Sequence, residues 1–146
     1  MEKEKIDIVK IKMIREGRLD VPRKKIDSPE SAYNIVRYLE LEDREHLVVL
    51  AVNTKNVVVN ISTISVGSLN SSIVHPREVF KTLILSNAAS FLVAHNHPSG
   101  YTSPSGEDIK VTKILKECGK IFGIKLLDHI IVGEEKYLSF AEEGIL

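Results

Sequence analysis

The sequence predicts a single α/β domain built on a mixed β-sheet flanked by helices, in a two-layer or three-layer arrangement. Apolar runs rich in β-branched residues, such as HLVVLAVN, NVVVNISTIS, ASFLVA and KLLDHIIVG, alternate with segments of helical apolar spacing. The 146 residues suffice for one core and are too few for two comfortable ones. No repeat period of roughly 20 to 50 residues marks a solenoid.

The chain opens with MEKEKI, a charged lead-in, followed by IDIVKIKMIREG, where Ile6, Ile8, Ile11 and Met13 mix with lysines. That pattern predicts an edge strand over residues 6–14, ending near Gly17. Residues 1–27 are therefore an N-terminal lead-in and edge strand, and residues 28–146 the body of the domain. Ser28-Pro29-Glu30 starts a helix, with Ser28 as N-cap and Pro29 at the first helical position, where its missing N–H costs nothing. Ala32, Ile35, Val36 and Leu39 give that helix one apolar face. HLVVLAVN and NVVVNISTIS form a hairpin through a short polar turn at Thr54-Lys55. Pro76 opens a second helix, whose apolar face holds Val79, Phe80, Leu83 and Ile84. After Asn87, the short apolar strand ASFLVA delivers the chain to His95. In a third helix Val111, Ile114, Leu115, Cys118, Ile121 and Phe122 recur at helical spacing, and Gly123 supplies the stop. Cys118 then belongs to the core stripe as a buried thiol. The strands KLLDHIIVG and KYLSF close the chain around a turn at Gly133-Glu134-Glu135.

Twenty basic and twenty acidic residues cancel, and neither sign gathers into a tail, so no footprint for a nucleic acid or an acidic membrane stands out. Cys118 has no second cysteine to pair with, and no apolar run approaches the roughly 20 residues of a membrane span. Without a signal-peptide pattern, a reducing cytoplasmic location is the expectation.

The stretch HNHPSGYTSPSGED, residues 95–108, concentrates the chemistry. His95 and His97 follow a buried strand, and at period two their side chains point to the same side. Asp108 falls in the first turn of the third helix, so the Pro/Gly/Ser loop between can fold back and bring its carboxylate toward the imidazoles. Two imidazoles and one carboxylate suit Zn²⁺ and leave a fourth position open, as catalysis needs. Ser105-x-x-Asp108 equally fits a capping box, a motif common in proteins with no metal.

The spacing His95-x-His97, seven residues, Ser105, two residues, Asp108 resembles the metal-binding signature of JAMM-type (JAB/MPN+) metalloproteases. The blocks HPREVF, NAAS, AHNHPSG, PSGED and LLDHIIVG further resemble the bacterial RadC subfamily of that fold. The resemblance runs from about Ser28 to Gly144 and implies a JAB/MPN fold of the cytidine deaminase-like kind. It implies one zinc ion per chain on His95, His97 and Asp108, and an enzyme that hydrolyses peptide or isopeptide bonds. It also implies a catalytic glutamate at the start of a strand after the first helix, which matches Glu45 in REHLVVL. Without the resemblance Glu45 reads as one solvated turn acid among Glu40, Glu42, Asp43 and Arg44. Glu78 is the rival base, although an acid in a helix's first turn is expected for its dipole alone. The family places a serine like Ser105 where it helps stabilise an oxyanion, a role that stands beside helix capping.

Asp128 and His129 match a family block and read either as support for the metal site or as structural hydrogen bonding. His75 reads as a helix-entry residue or a groove residue, and His46 should face away from Glu45. Asn96 and Ser99 shape the loop, and either could touch the substrate or the groups that support the metal ligands. The expected partner is a protein or peptide, with no particular binding residue marked. A homodimer through the N-terminal edge strand is a further expectation. Against the enzyme reading stands a DNA repair or recombination factor acting through nucleic-acid or protein binding, which the subfamily's description suggests. Longer members carry a helix-hairpin-helix module for DNA, and this chain is expected to be the catalytic domain without it.

Overall fold

The apolar runs pair with one another in the computed structural model, which describes residues 1–69 and 74–146. The predicted hairpin is β1 (His46–Val52) and β2 (Val58–Val66), antiparallel. Its polar turn is held by Asn53, whose Oδ1 accepts the N–H groups of Lys55 and Val57, each at 3.0 Å. The buried strand β3 (Ser90–Asn96) lies antiparallel to β1 on one side and parallel to β4 (Lys125–Val132) on the other. The short strand β5 (Tyr137–Ser139) returns antiparallel to β4. Among the described residues the sheet thus has five strands, in the order β2-β1-β3-β4-β5.

Helices cover both faces, which resolves the layering as three. Helix α1 (Pro29–Val36) is capped by Ser28, whose hydroxyl accepts from Ser31 N at 3.1 Å, and continues as a 3-10 turn over Arg37–Leu41. Its predicted apolar face, Ala32, Ile35, Val36 and Leu39, is fully buried against Val48, Leu50, Leu92 and Ile130. Burial of each larger side chain contributes about 1.5–3 kcal/mol. On the opposite face, α2 (Pro76–Leu85) buries Val79, Phe80 and Leu83 against Leu47, Val49, Phe91 and Val93. Helix α3 (Gly106–Phe122) adds Val111 and Leu115 to the same layer and carries the chain across from β3 to its parallel neighbour. No helix among the described residues is long and apolar enough to cross a membrane.

Two sequence expectations need correction. Residues 6–14 form no strand: residues 1–20 have no regular secondary structure, and Ile6 and Ile8 are 93% and 97% exposed. Alternating side chains make a strand only when a neighbouring backbone takes up the N–H and C=O groups. Here pairing beside β2 is limited to the isolated bridge between Lys25 and Val57 among the described residues. The second correction concerns how helices turn toward the sheet. Ile84 on α2, and Ile114, Ile121 and Phe122 on α3, are exposed, Ile121 to 82%. The buried line of α3 is Asp108, Val111, Thr112, Leu115 and Gly119, with Cys118 only partly buried beside it.

Gly119 explains the rotation. A Cβ at that position would lie 2.4 Å from the Ile124 carbonyl oxygen and 3.2 Å from Phe91 Cε1, so the helix approaches the sheet on its smallest residue. The Gly119→Ala variant is therefore expected to lose about 1–3 kcal/mol of stability through overpacking. A lowered Tm with an unchanged far-ultraviolet circular dichroism spectrum is the measurement that checks it.

Candidate metal centre

β3 drives a polar end into an apolar layer. His95 is completely buried, opposite Leu47 of β1 and Ile131 of β4. His97 lies one residue beyond the strand, but its N–H still donates to the Val132 carbonyl at 2.9 Å, so the alternation continues. The two imidazoles face each other with Nε2 atoms 2.9 Å apart. The loop from Pro98 folds back as the sequence predicts and delivers Asp108 as N3 of α3. Asp108 Oδ2 accepts from Ser105 N at 2.8 Å, and Ser105 Oγ accepts from Asp108 N at 3.0 Å, so the capping box is real. The same carboxylate places Oδ1 3.2 Å from His95 Nε2 and Oδ2 3.2 Å from His97 Nε2. The capping and metal-ligand readings of Asp108 are therefore compatible: the cap fixes the carboxylate's aim.

The donor set suits a divalent ion. One donor atom from each of His95, His97 and Asp108 lies within 4.8 Å of the others. Ligands about 2.0–2.2 Å from a tetrahedral zinc are roughly 3.3 Å apart, close to the separations here. His97 Nδ1–H donates to the Tyr101 carbonyl at 2.8 Å, which leaves Nε2 as the free nitrogen of the neutral ring. Two such nitrogens face to face repel unless a proton or a metal lies between them. The hydrogen bond to Asp108 pulls the His97 pKa above its ordinary 6.5, against the opposing effect of burial. Burial would raise the Asp108 carboxyl, but hydrogen bonds from the His95 and His97 rings in their protonated form, the charge of His95 and the Ser105 amide together hold it well below the usual range.

Glu45 reaches this centre through strand register. β1 and β3 are antiparallel, their pairing ends with Leu47 opposite His95, and the same register continued by two residues would set Glu45 opposite His97. Glu45, Ser68, Leu69, His97, Ser105 and Asp108, with Pro98 and Ser99, line a cavity of about 340 Å³. Leu69 N–H donates to Glu45 Oε2 at 2.7 Å, and Gly67 N–H donates to the Glu45 carbonyl, also at 2.7 Å. Asn96 grips the backbone on both sides of Glu45. Its Oδ1 accepts from His46 N at 2.7 Å, and its Nδ2 donates to the Arg44 carbonyl at 3.0 Å. Sequence reasoning left Asn96 as a residue that shapes the loop or touches the substrate or the surroundings of the metal; its signal was its place between two histidines that face the other way.

The remaining candidates separate clearly. Glu78 lies 2.8 Å from Lys81 and 3.8 Å from Arg77, and is not among the residues lining the cavity. His75 precedes α2 as an exposed N-cap residue with no side-chain cap hydrogen bond. The His46 ring contacts the Arg44 carbonyl and Glu42. Asp128 is structural: it accepts from His129 N at 2.7 Å, Ser139 Oγ at 2.5 Å and Ala141 N at 2.9 Å, pinning β5 to β4. His129, fully buried, sits directly behind His95, with its Nε2 2.7 Å from His95 Nδ1. Thr112, which the sequence reading passed over, lies 2.6 Å beyond it.

A three-layer α/β sandwich with a His-x-His pair at a central strand end and an aspartate opening the next helix defines a JAB-type domain. Comparison with known proteins is specific: the model for the RadC-like JAB domain matches residues 26–145, and the chain belongs to that family. It is 57% identical over 123 residues to a UPF0758 protein of Clostridium acetobutylicum, covering 84% of this chain and 54% of that protein. It is 52% identical over 122 residues to UPF0758 protein YsxA of Bacillus subtilis, covering 83% and 53%. A UPF0758 protein of Geobacillus is 53% identical over 120 residues, covering 82% and 53%. The chain spans about half the length of these curated relatives.

Metal affinity should depend on pH through His97. Its raised pKa means the ligating nitrogen is free above that value and protonated below it. Affinity for a divalent metal ion is expected to be level at alkaline pH and to fall about tenfold per unit once pH drops through a point above 6.5, as one proton competes for one ligand. Competition titration against a chromophoric chelator at several pH values measures this. Asn96→Ala should leave divalent-metal uptake unchanged and lower stability by about 1–3 kcal/mol, since the His46 N–H loses its partner. Thermal unfolding alongside metal analysis checks both halves.

Proposed function

We propose that this domain is a metal-dependent hydrolase of amide bonds, a JAMM-type peptidase or isopeptidase with one zinc ion per chain. The observation that carries the reading is one cavity that brings Glu45 together with His97 and Asp108. His95 and His97, each through Nε2, and Asp108 through its carboxylate would hold the ion. When bound, the ion supplies Lewis acidity and lowers the pKa of water to about 7.

Each remaining role falls to a residue with a suitable atom in place. Glu45, with one oxygen held by the Leu69 amide, keeps a fixed orientation from which it takes a proton from water and returns it to the leaving amine. Ser105 Oγ already accepts from the Asp108 amide, so its own hydrogen is available for the oxyanion that develops on an attacked carbonyl. No lysine or arginine is among the residues lining the cavity. A phosphate backbone would find no basic side chain there to neutralise it beyond the ion itself, which favours an amide over a nucleic acid as the substrate.

Protein purified without added metal is expected to contain about one zinc per chain, and His97→Ala to contain almost none. Incubation of wild-type and Glu45→Gln protein with a cell extract, followed by mass spectrometry of new N-termini and released isopeptide-linked fragments, tests the chemistry. Glu45→Gln should keep its zinc and lose about 10²–10⁴ in cleavage rate. Ser105→Ala should lose more in turnover than in metal occupancy; equal losses would make that serine purely structural. A folded wild type that takes up no zinc would sink the enzyme reading.

A further inference from the structure

Behind His95 the hydrogen bonds have only one consistent direction. Thr112 Oγ1 lies 2.7 Å from the Asp108 carbonyl oxygen, and a carbonyl can only accept. The single hydroxyl hydrogen is therefore committed to Asp108. Thr112 Oγ1 also lies 2.6 Å from His129 Nδ1, and with its hydrogen spent it can only accept there, so His129 carries its hydrogen on Nδ1. A neutral imidazole has one N–H, which leaves His129 Nε2 as an acceptor. His95 Nδ1, 2.7 Å away, must then be the donor, and in the neutral ring His95 Nε2 is left with a free lone pair facing His97 and Asp108. Phe140, stacked on the His129 ring at 4.5 Å and 15°, fixes the ring plane in which this transfer of direction works.

We infer that Thr112 and His129 are positioning residues that dictate the tautomer of His95, with the direction set by the backbone carbonyl of Asp108. The third ligand residue thus prepares the first: its side chain faces the metal position, and its own C=O, through two buried side chains, turns the His95 lone pair toward that position. The inference rests on the metal-binding reading of this site for its purpose, but the tautomers themselves exist without any metal. Neither Thr112 nor His129 lines the cavity, so their effect on reaction chemistry passes through His95.

Long-range ¹H–¹⁵N correlation spectra of ¹⁵N-labelled, metal-free protein at alkaline pH read the tautomers directly. The wild type is expected to show His95 and His129 both as the Nδ1–H form. In Thr112→Val the His129 Nδ1–H loses its acceptor. His129 should move to the Nε2–H form and drive His95 to carry its hydrogen on Nε2, where it blocks ligation. Zinc affinity should fall roughly 10- to 100-fold. Thr112→Ser should restore both tautomers and affinity, which a simple packing role for the threonine methyl would not do. His129→Phe, which keeps the stack on Phe140 but removes the acceptor, gives a second test and should weaken zinc with His95 no longer locked as Nδ1–H. A wild-type His95 in the Nε2–H form would overturn the inference, as would a folded Thr112→Val whose His95 tautomer and zinc affinity are unchanged. A wild type with the expected tautomers that binds no zinc would uphold the relay and refute the metal reading, so the two failures are distinguishable.

Discussion

Everything at the functional end of this domain depends on hydrogen-bonding a set of polar groups that the sheet has removed from water. His95, His129, Asp108 and Thr112 are all at most 2% exposed, in an interior otherwise built of Val, Leu, Ile and Phe. An unpartnered polar group there would cost several times what a satisfied one contributes. The chain of bonds runs from the Asp108 carbonyl through Thr112 and His129 to His95, whose Nε2 lies 3.2 Å from the Asp108 carboxylate. Burial holds His129 well below the ordinary histidine pKa, so the ring behind the site stays uncharged. The ring behind His95 therefore adds no charge to the one carried by the buried Asp108 carboxylate.

The sheet supplies the second constraint. Antiparallel pairing of β1 with β3 is set by apolar contacts along the whole strands, Val48 with Ala94 and Leu50 with Leu92 among them. A slip of one residue would turn Glu45 away from His97 and move each side chain of the strand into the opposite helix-covered layer, so core packing and the geometry of the site are enforced by one register. Asn96, facing the opposite way from its histidine neighbours, uses that inversion to hold the backbone on either side of Glu45. Parallel pairing of β3 with β4 does the same for the rear of the site, bringing His129 behind His95. A close approach secures the loop above: at Gly133 a Cβ would sit 2.4 Å from the Gly100 oxygen, and Glu134 N–H donates to that oxygen at 3.1 Å. This braces the turn whose Tyr101 carbonyl orients His97.

Much of this was legible in the chain. Local rules located α1 from Ser28-Pro29, the hairpin turn at Thr54-Lys55, the stop at Gly123, and the delivery of His95 by a buried strand, because each depends on neighbours within a few residues. The rule failed for residues 6–14, where alternation was present but no backbone partner was. It also misjudged the turn of α3, since Ile121 and Phe122 share the helical period with the core residues and only the contact at Gly119 decides which side faces inward.

For the site the division is similar. Sequence by itself determined the ligand types, their spacing and the capping box, since a strand end, a short loop and a helix start suffice to bring His95, His97 and Asp108 within reach. Glu45 came only from family resemblance: fifty residues separate it from His95, and its neighbours Glu40, Glu42 and Asp43 look much the same in one dimension. Tertiary structure alone decided that Glu45 and not Glu78 shares the cavity, and that His129 and Thr112 stand behind His95. Those are contacts between strands and helices distant in the chain, and they are settled by register and by the pairing of buried polar groups, neither of which leaves a local signature.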